Sequence, residues 1–218
     1  MNVHTWAWLV SSKPSTRRAR AGPPVAANKR DAILKSAITV FARRGYFGAQ
    51  VADVARDAGG AAGTVYLYFR SKDDLLVSIF EQTLRVAIAE GRAALADMTN
   101  PVERLRVIAR LHLGRMSRDR NLAVVFQVEL RQSTKFMQRF SSTLLGDYFG
   151  LIRGVIEDAQ ADGSFRRDIN AAVAAKIFFG GLDEMTTNWI LSPRRYSLVA
   201  DADTVVDLFV RGVMPSAA

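Results

Sequence analysis

The pattern of apolar positions is helical from residue 28 almost to the C terminus. Apolar residues recur every three or four positions, as in Ile33, Ala37 and Val40, and place one stripe on each predicted helix. No segment alternates apolar and polar residues in the manner of a strand with hairpin turns, and no segment repeats another. The pattern therefore predicts an all-α protein of about nine helices.

The first three predicted helices belong to one small unit. The first begins at Asn28 and stops at Gly45, the second is "QVADVARDAGG", and the third covers Ala62 to Phe69. Ser71 begins a fourth helix with a capping pattern. Two short helices joined by a glycine-containing turn have the proportions of a helix-turn-helix, so residues 28–74 are predicted to form a DNA-binding domain.

The other 144 residues, 75–218, are predicted to form a larger helical domain. Its helices are indicated by capping residues, glycine stops and apolar spacing. After the fourth helix, they are predicted to begin at Pro101 and to cover Asn121 to Gln132, Thr134 to Ala161, Asn170 to Leu191, and Asp201 to Val213.

Charge is distributed unevenly along the chain. Residues 1–80 carry 12 Lys/Arg and 5 Asp/Glu, a net of +7, whereas residues 81–218 carry 18 and 16, a net of +2. Such a basic segment attracts polyanions, whether nucleic acid or an anionic membrane surface. The third predicted helix lacks the broad apolar face of a helix that lies on a membrane, which favours double-stranded DNA as the partner over a membrane.

The first 27 residues are predicted to be a disordered, basic N-terminal extension because they are rich in Ser, Pro, Gly and Arg. Arg17, Arg18 and Arg20 form either an arm that enters the minor groove or a solvated tail. No hydrophobic stretch is long enough for a membrane span, and the chain has no cysteine, which together indicate a cytoplasmic location.

Catalytic and metal chemistry are not expected. The only two histidines, His4 and His112, are far apart and lack a partner at ligand spacing. The paired carboxylates Asp183 and Glu184 have no nucleophile, metal set or glycine-rich phosphate loop beside them. We therefore expect no metal, no cofactor and no enzymatic activity.

The stretch "GTVYLYFRSKDDLL" carries groups that suit DNA recognition. Small residues at the start of the third helix allow close approach to the major groove, and Thr64 can contact a base edge or a phosphate. Tyr66 and Tyr68 can reach phosphate oxygens and Lys72 can neutralise one, whereas Val65 and Phe69 are expected to be buried. Read without their context, the same residues would be ordinary core and surface positions.

The segment "KRDAILKSAITVFARRGYFGAQVADVARDAGGAAGTVYLYFRSKDDLL" resembles the DNA-binding domain of TetR-type transcriptional repressors, without gaps from Lys29 to Leu76. The resemblance implies DNA-facing positions at Gln50, Val51, Ala62, Gly63, Thr64, Tyr66, Leu67, Tyr68 and Lys72. The chain departs from the family pattern at Val51, where threonine is frequent, and at Gly60-Ala61, where the turn usually has Val-Ser.

Residues 75–218 are then expected to bind a ligand and to dimerise. "NLAVVFQVELRQS" and the segment from Phe179 to Gly212 resemble the acyl-CoA-responsive repressors of bacterial fatty-acid degradation. This resemblance implies release from a palindromic operator by long-chain acyl-CoA, and the alternative is a TetR-type regulator that senses another lipophilic compound or a drug. The predicted ligand-binding residues are Leu105, Ile108, His112, Phe126, Leu130, Arg131, Met137, Phe140, Leu144, Phe149 and Ile152.

Arginines that can bind the CoA phosphates are Arg106, Arg110, Arg115 and Arg131, unless they form a solvated face. Gly180 and Gly181 within an apolar helix indicate the close approach of another helix, as in a homodimer. Asp183, Glu184 and Asn188 are expected to make polar contacts across that interface. The predicted interface residues are Phe178, Gly181, Met185, Trp189, Val206, Phe209 and Val213.

Overall fold

The computed structural model describes residues 25–129, 131 and 144–215, with side chains from residue 29 onward. These residues contain nine α-helices and no strand, which confirms the all-α prediction. None of the helices in these ranges is long and apolar enough to cross a bilayer. The predicted N-terminal extension lies outside the described residues except for residues 25–27, which belong to the first helix rather than to a disordered segment, so that helix begins three residues earlier than predicted.

The N-terminal domain, called the head below, contains three helices that pack around one another. They are α1 (Val25–Arg44), α2 (Val51–Asp57) and α3 (Ala62–Tyr66). Gly45 ends α1 with a φ of 72° and Gly59 follows α2 with a φ of 67°, both in the left-handed region that glycine adopts without strain. Helix α3 is three residues shorter than predicted, because the amides of Leu67 and Tyr68 bond to carbonyls three residues back and tighten its end.

Helix α4 (Lys72–Leu95) joins the head to the rest of the molecule. The hydroxyl of Ser71 caps it by accepting a hydrogen bond from the amide of Asp74 at 3.1 Å, as the sequence predicts. Its first half packs into the head through residues such as Phe80, and its second half packs into the C-terminal core through residues such as Ile88. The two cores are therefore connected by one continuous helix.

The C-terminal domain is built from long helices. They are α5 (Pro101–Arg118), α6 (Arg120–Val124), α7 (Leu144–Asp162), α8 (Ala171–Leu191) and α9 (Ala202–Val213). A 3-10 turn (Leu198–Asp201) precedes α9, so that helix begins later than predicted by one residue. Residues 134–143 of the predicted long helix lie outside the described residues.

The prediction of one regular helix from Asn121 to Gln132 is wrong. Asp119 caps α6 instead, and α6 continues as a π-helix over Val125–Glu129. A π-helix inserts an extra residue per turn and often occurs at functional positions. Here the π-helix directs the side chain of Val125 into the core of the head. The next side chain, Phe126, packs against both the head core and the C-terminal core.

Candidate DNA-binding and ligand-binding sites

The surface of the head presents the start of α2 and most of α3. Tyr66 is 55% exposed and Leu67 is 82% exposed. Val65 and Phe69, on the opposite side, are buried as predicted, so the exposed ring and side chain sit on a rigid base. The other predicted DNA-facing residues on this surface are exposed (Gln50, Gly63) or half-buried (Ala62, Thr64, Tyr68).

Val51 differs from the expectation, because its side chain is buried in the head core. It is the first residue of α2, and its apolar side chain packs inward together with Val54 and Ala55. The neighbouring surface instead displays Phe47, which is 66% exposed and was not predicted. This ring lies in the turn between α1 and α2, and the aromatic pair in "GYFG" was the signal in the sequence.

Lys72 is held by the head itself. Its ammonium donates to the carbonyls of Tyr46 at 2.8 Å, Ala49 at 2.9 Å and Phe47 at 3.4 Å, and it lies 4.5 Å from the centre of the Tyr46 ring. These contacts occupy the three donors of the ammonium group. In this structure Lys72 therefore holds the turn between α1 and α2 against the start of α4, and no donor remains for the predicted phosphate contact.

The C-terminal domain contains a partly open apolar cavity of about 100 Å³ between α4, α5, α7 and α8. Four of the predicted ligand-binding residues line it: Ile108, His112, Phe126 and Arg131. Apart from Arg115, which was expected to bind CoA phosphates, the rest of the lining was not predicted, although the spacing of Leu84, Ala87 and Gly91 on α4 is a recognisable stripe. These further residues are Thr83, Leu84, Ala87, Gly91, Leu111, Arg115, Met116, Gln127, Leu145, Tyr148, Leu151, Phe179 and Asp183.

Four other predicted ligand-binding residues, Leu105, Leu144, Phe149 and Ile152, do not line this cavity. Leu105 and Ile152 are fully buried in the C-terminal core, where helix–helix packing uses their side chains. Leu144 packs against the same core, and the half-buried Phe149 packs against the Phe179 ring with 5.0 Å between centroids. Leu130, Met137 and Phe140 lie outside the described residues.

Polar groups cluster at the end of the cavity formed by α8 and the π-helix. Gln127 donates to Asp183 at 2.6 Å, and Arg131 pairs with the same carboxylate. Asp183 thus faces the cavity rather than a dimer interface, contrary to the prediction. Arg115 also lines the cavity and pairs with Glu90.

Two arginines predicted to bind phosphates lie elsewhere. Arg106 pairs with Asp207 at 2.7 Å and Arg110 pairs with Asp203 at 2.8 Å, both on α9. The side-chain hydrogen bond from Arg110 lowers the pKa of Asp203. These pairs join α5 to α9. Of the four arginines predicted to bind phosphates, Arg115 and Arg131 line the cavity.

His112 and Tyr148 form a polar pair in the middle of the cavity wall. The His112 Nδ1 lies 3.0 Å from the Tyr148 hydroxyl, and the buried Nε2 has no hydrogen-bond partner among the described residues. Burial lowers the pKa of His112 to about 4 and raises that of Tyr148, because both charged forms are poorly solvated there. Both side chains are therefore neutral at pH 7.

The π-helix connects the cavity to the head. Phe126 lines the cavity and packs on Phe80 of α4 with 4.4 Å between ring centroids. Three residues later, the buried carboxylate of Glu129 accepts a hydrogen bond from the backbone amide of Tyr46 at 2.6 Å. Tyr46 in turn donates its hydroxyl to Asp73 in the first turn of α4.

Helices α8 and α9 carry an exposed apolar face that differs from the predicted dimer interface. Phe178, Val206 and Val213 are buried in the core of the protomer, so they cannot contact another chain directly. Gly181, Met185, Trp189 and Phe209 are half-buried. The exposed α8–α9 face consists of Val173, Ile177, Gly180, Leu191 and Leu208.

A helix-turn-helix head joined by a long helix to an all-α domain is the architecture of a DNA-binding transcriptional regulator. Residues 33–79 match the family model "Bacterial regulatory proteins, tetR family", and residues 80–212 match "YsiA-like protein, C-terminal region". The chain belongs to the tetR family. It is thus a DNA-binding regulator rather than an enzyme, as the sequence predicts.

Relatives of the chain include regulators of fatty-acid metabolism or degradation, which is the subgroup that the sequence predicts. The chain is 32% identical over 181 residues to the fatty acid metabolism regulator protein of Bacillus subtilis, covering 83% of this chain and 93% of that one. The structure of the fatty acid degradation regulator FadR from Bacillus halodurans matches with a TM-score of 0.81 and 32% identity, over 89% of this chain and 98% of that one. FadR from Bacillus subtilis in complex with stearoyl-CoA matches with a TM-score of 0.80 and 32% identity, over 84% and 98%.

The low pKa of His112 predicts an acid-sensitive stability. Between the unfolded value of about 6.5 and the folded value of about 4, the unfolded chain binds a proton that the folded chain does not, so unfolding becomes easier as the pH falls. The loss approaches about 3 kcal/mol over this interval and ends below pH 4. Urea unfolding of the wild type and of His112→Phe at several pH values measures it. The variant should show a shallower pH dependence, and identical slopes would contradict this prediction.

Proposed function

We propose that the protein is a homodimeric repressor of fatty-acid-degradation genes that binds a palindromic operator and is released by long-chain acyl-CoA. The observation that carries this proposal is the apolar cavity with a polar end at Gln127, Arg131 and Asp183. An acyl chain suits the apolar part, and the amides of the pantetheine arm suit the polar part. The similarity to FadR in complex with stearoyl-CoA supports the same ligand class.

The size of the cavity indicates how a ligand would act. Its volume of about 100 Å³ is well below the roughly 300–1,000 Å³ of typical ligand pockets. A long acyl chain therefore has to displace the walls, among them Phe126 and Gln127 of the π-helix. Because well-packed interiors transmit strain, such a displacement reaches the residues packed behind the wall.

Two contacts would carry the displacement to the head. Phe126 pushes on Phe80 of α4, and Glu129 moves with the π-helix while holding the amide of Tyr46. The ligand-bound state then has a different head orientation. In a dimer, this changes the separation of the two recognition helices, which must match successive major grooves. The ligand can lower operator affinity by no more than the ratio of its own affinities for the two states. Such a ratio is typically 5- to 150-fold.

The exposed α8–α9 face is proposed as the dimer interface. Ile177 is 63% exposed and Leu208 is 69% exposed, on neighbouring helices. Gly180 has open space above it, so a helix of a second chain can approach closely there. Contiguous exposed apolar side chains of this kind are typical of interaction surfaces.

Operator release tests the ligand. Palmitoyl-CoA at saturating concentration should weaken binding of the wild type to its operator by at least about fivefold, whereas palmitate and CoA alone should not. Fluorescence anisotropy with labelled operator DNA measures the affinity. Phe126→Ala should still bind the acyl chain but release DNA less, because the contact with Phe80 is lost. Release by a drug-like cation and not by palmitoyl-CoA would favour the alternative regulator.

Lys72→Met tests whether this lysine holds the turn between α1 and α2 or contacts a DNA phosphate. Loss of the three carbonyl contacts should lower the stability of the protein by about 1–3 kcal/mol. The slope of log affinity for DNA against log salt should stay unchanged, whereas removal of a phosphate contact lowers it by about 0.9. Arg70→Met, an exposed neighbour, is the matched control for stability. A reduced slope for Lys72→Met would show that the lysine leaves the turn to contact DNA.

Arginine substitutions test the interface. Ile177→Arg and Leu208→Arg should each give monomers that do not bind a palindromic operator tightly, because a buried unpaired charge opposes association. Light scattering measures the mass in solution. Val86→Arg, at an exposed apolar position on α4, should remain dimeric. Dimers of unchanged stability in both interface variants would place the interface elsewhere.

A further inference from the structure

The His112–Tyr148 pair has one more hydrogen-bond donor than it can use. Each neutral side chain carries one polar hydrogen, and the single contact between Nδ1 and the hydroxyl consumes one of the two. In one tautomer the hydrogen on Nε2 remains, and in the other the hydroxyl hydrogen of Tyr148 remains. The described structure gives neither atom a further partner. The surplus donor thus exists whichever tautomer is present.

Among the described residues, no acceptor lies within hydrogen-bond distance of this donor, and an aromatic ring packs beside both side chains. The ring of Phe179 lies 5.6 Å from that of His112 and 5.9 Å from that of Tyr148, measured between centroids, and packs on both edge to face. An unsatisfied buried donor is costly, so native structures seldom retain one without a reason. Because both side chains line the cavity, an oxygen atom of a bound ligand can supply the acceptor.

The chemistry of the pair favours a neutral acceptor. Among the described residues that line the cavity, the cations are Arg115 and Arg131, and they are already paired with Glu90 and Asp183. A carboxylate or phosphate placed at His112 would lose its hydration without gaining a free cation. A carbonyl oxygen loses less and needs only one donor.

We propose that His112 and Tyr148 together recognise the carbonyl oxygen of the acyl thioester. This inference rests on the proposed function, since it assigns an atom of the acyl-CoA to a place in the cavity. The pair then determines specificity: it favours acyl thioesters over ligands that are equally apolar but lack the carbonyl, and over the free acid.

The test compares palmitoyl-CoA with S-hexadecyl-CoA, a thioether in which a methylene replaces the carbonyl. The wild type should bind the thioester about three- to tenfold more tightly, the range expected for one hydrogen bond. In at least one of His112→Phe and Tyr148→Phe, the ratio of the two affinities should fall to within about twofold of unity. Isothermal titration calorimetry measures both ligands on each variant, and the ratio is internal to the variant, so moderate destabilisation does not affect it.

Leu111→Ala is the matched control, because Leu111 lines the cavity next to His112 without a polar side chain. It should weaken both ligands alike and leave the ratio at the wild-type value. If the wild type binds both ligands equally, or if both aromatic variants keep the full ratio, the carbonyl is recognised elsewhere and this inference is wrong. If palmitoyl-CoA does not bind the wild type at all, the proposed function itself is wrong.

Discussion

The hydrogen bond from the Tyr46 amide to the buried Glu129 carboxylate is the interaction on which the relation between the two domains depends. It fixes the turn after α1 to the π-helix, and the hydroxyl of Tyr46 fixes the same residue to Asp73 of α4. Lys72, also in the first turn of α4, donates hydrogen bonds to the carbonyls of the same turn and so adds a further link between the turn and α4. The head is therefore held at two points, one on the π-helix and one on α4, and both elements also line the cavity.

The π-helix explains why cavity and head are in contact. A regular helix over residues 121–132 would rotate Phe126 and Glu129 out of their present directions, since side chains advance by about 100° per residue. The wider turn lets one side chain reach the cavity while another reaches Tyr46. π-turns of this kind occur frequently at functional positions, which is consistent with a segment that adopts a second arrangement when the cavity is filled.

The sequence predicted the fold and the head well, and the ligand site only in part. Glycine stops, helix caps and a motif of fixed spacing are local signals, so α2 and the start of α4 were placed within a residue or two. The cavity depends on which apolar stripes face one another, and periodicity cannot distinguish a side chain in a core, such as Leu105, from one at a cavity, such as Ile108. The π-helix and the placement of Asp183 arise from tertiary contacts with no local signature.

The length of α4 has a consequence for the size of the response. With 24 residues, this helix is about 36 Å long from Lys72 to Leu95. It behaves as a stiff rod, so a tilt of about 5° about its Leu95 end carries its first turn sideways by about 3 Å, close to the rise of one base pair in DNA. A small tilt of α4 is thereby large enough to move α3 away from the position at which it fits the major groove.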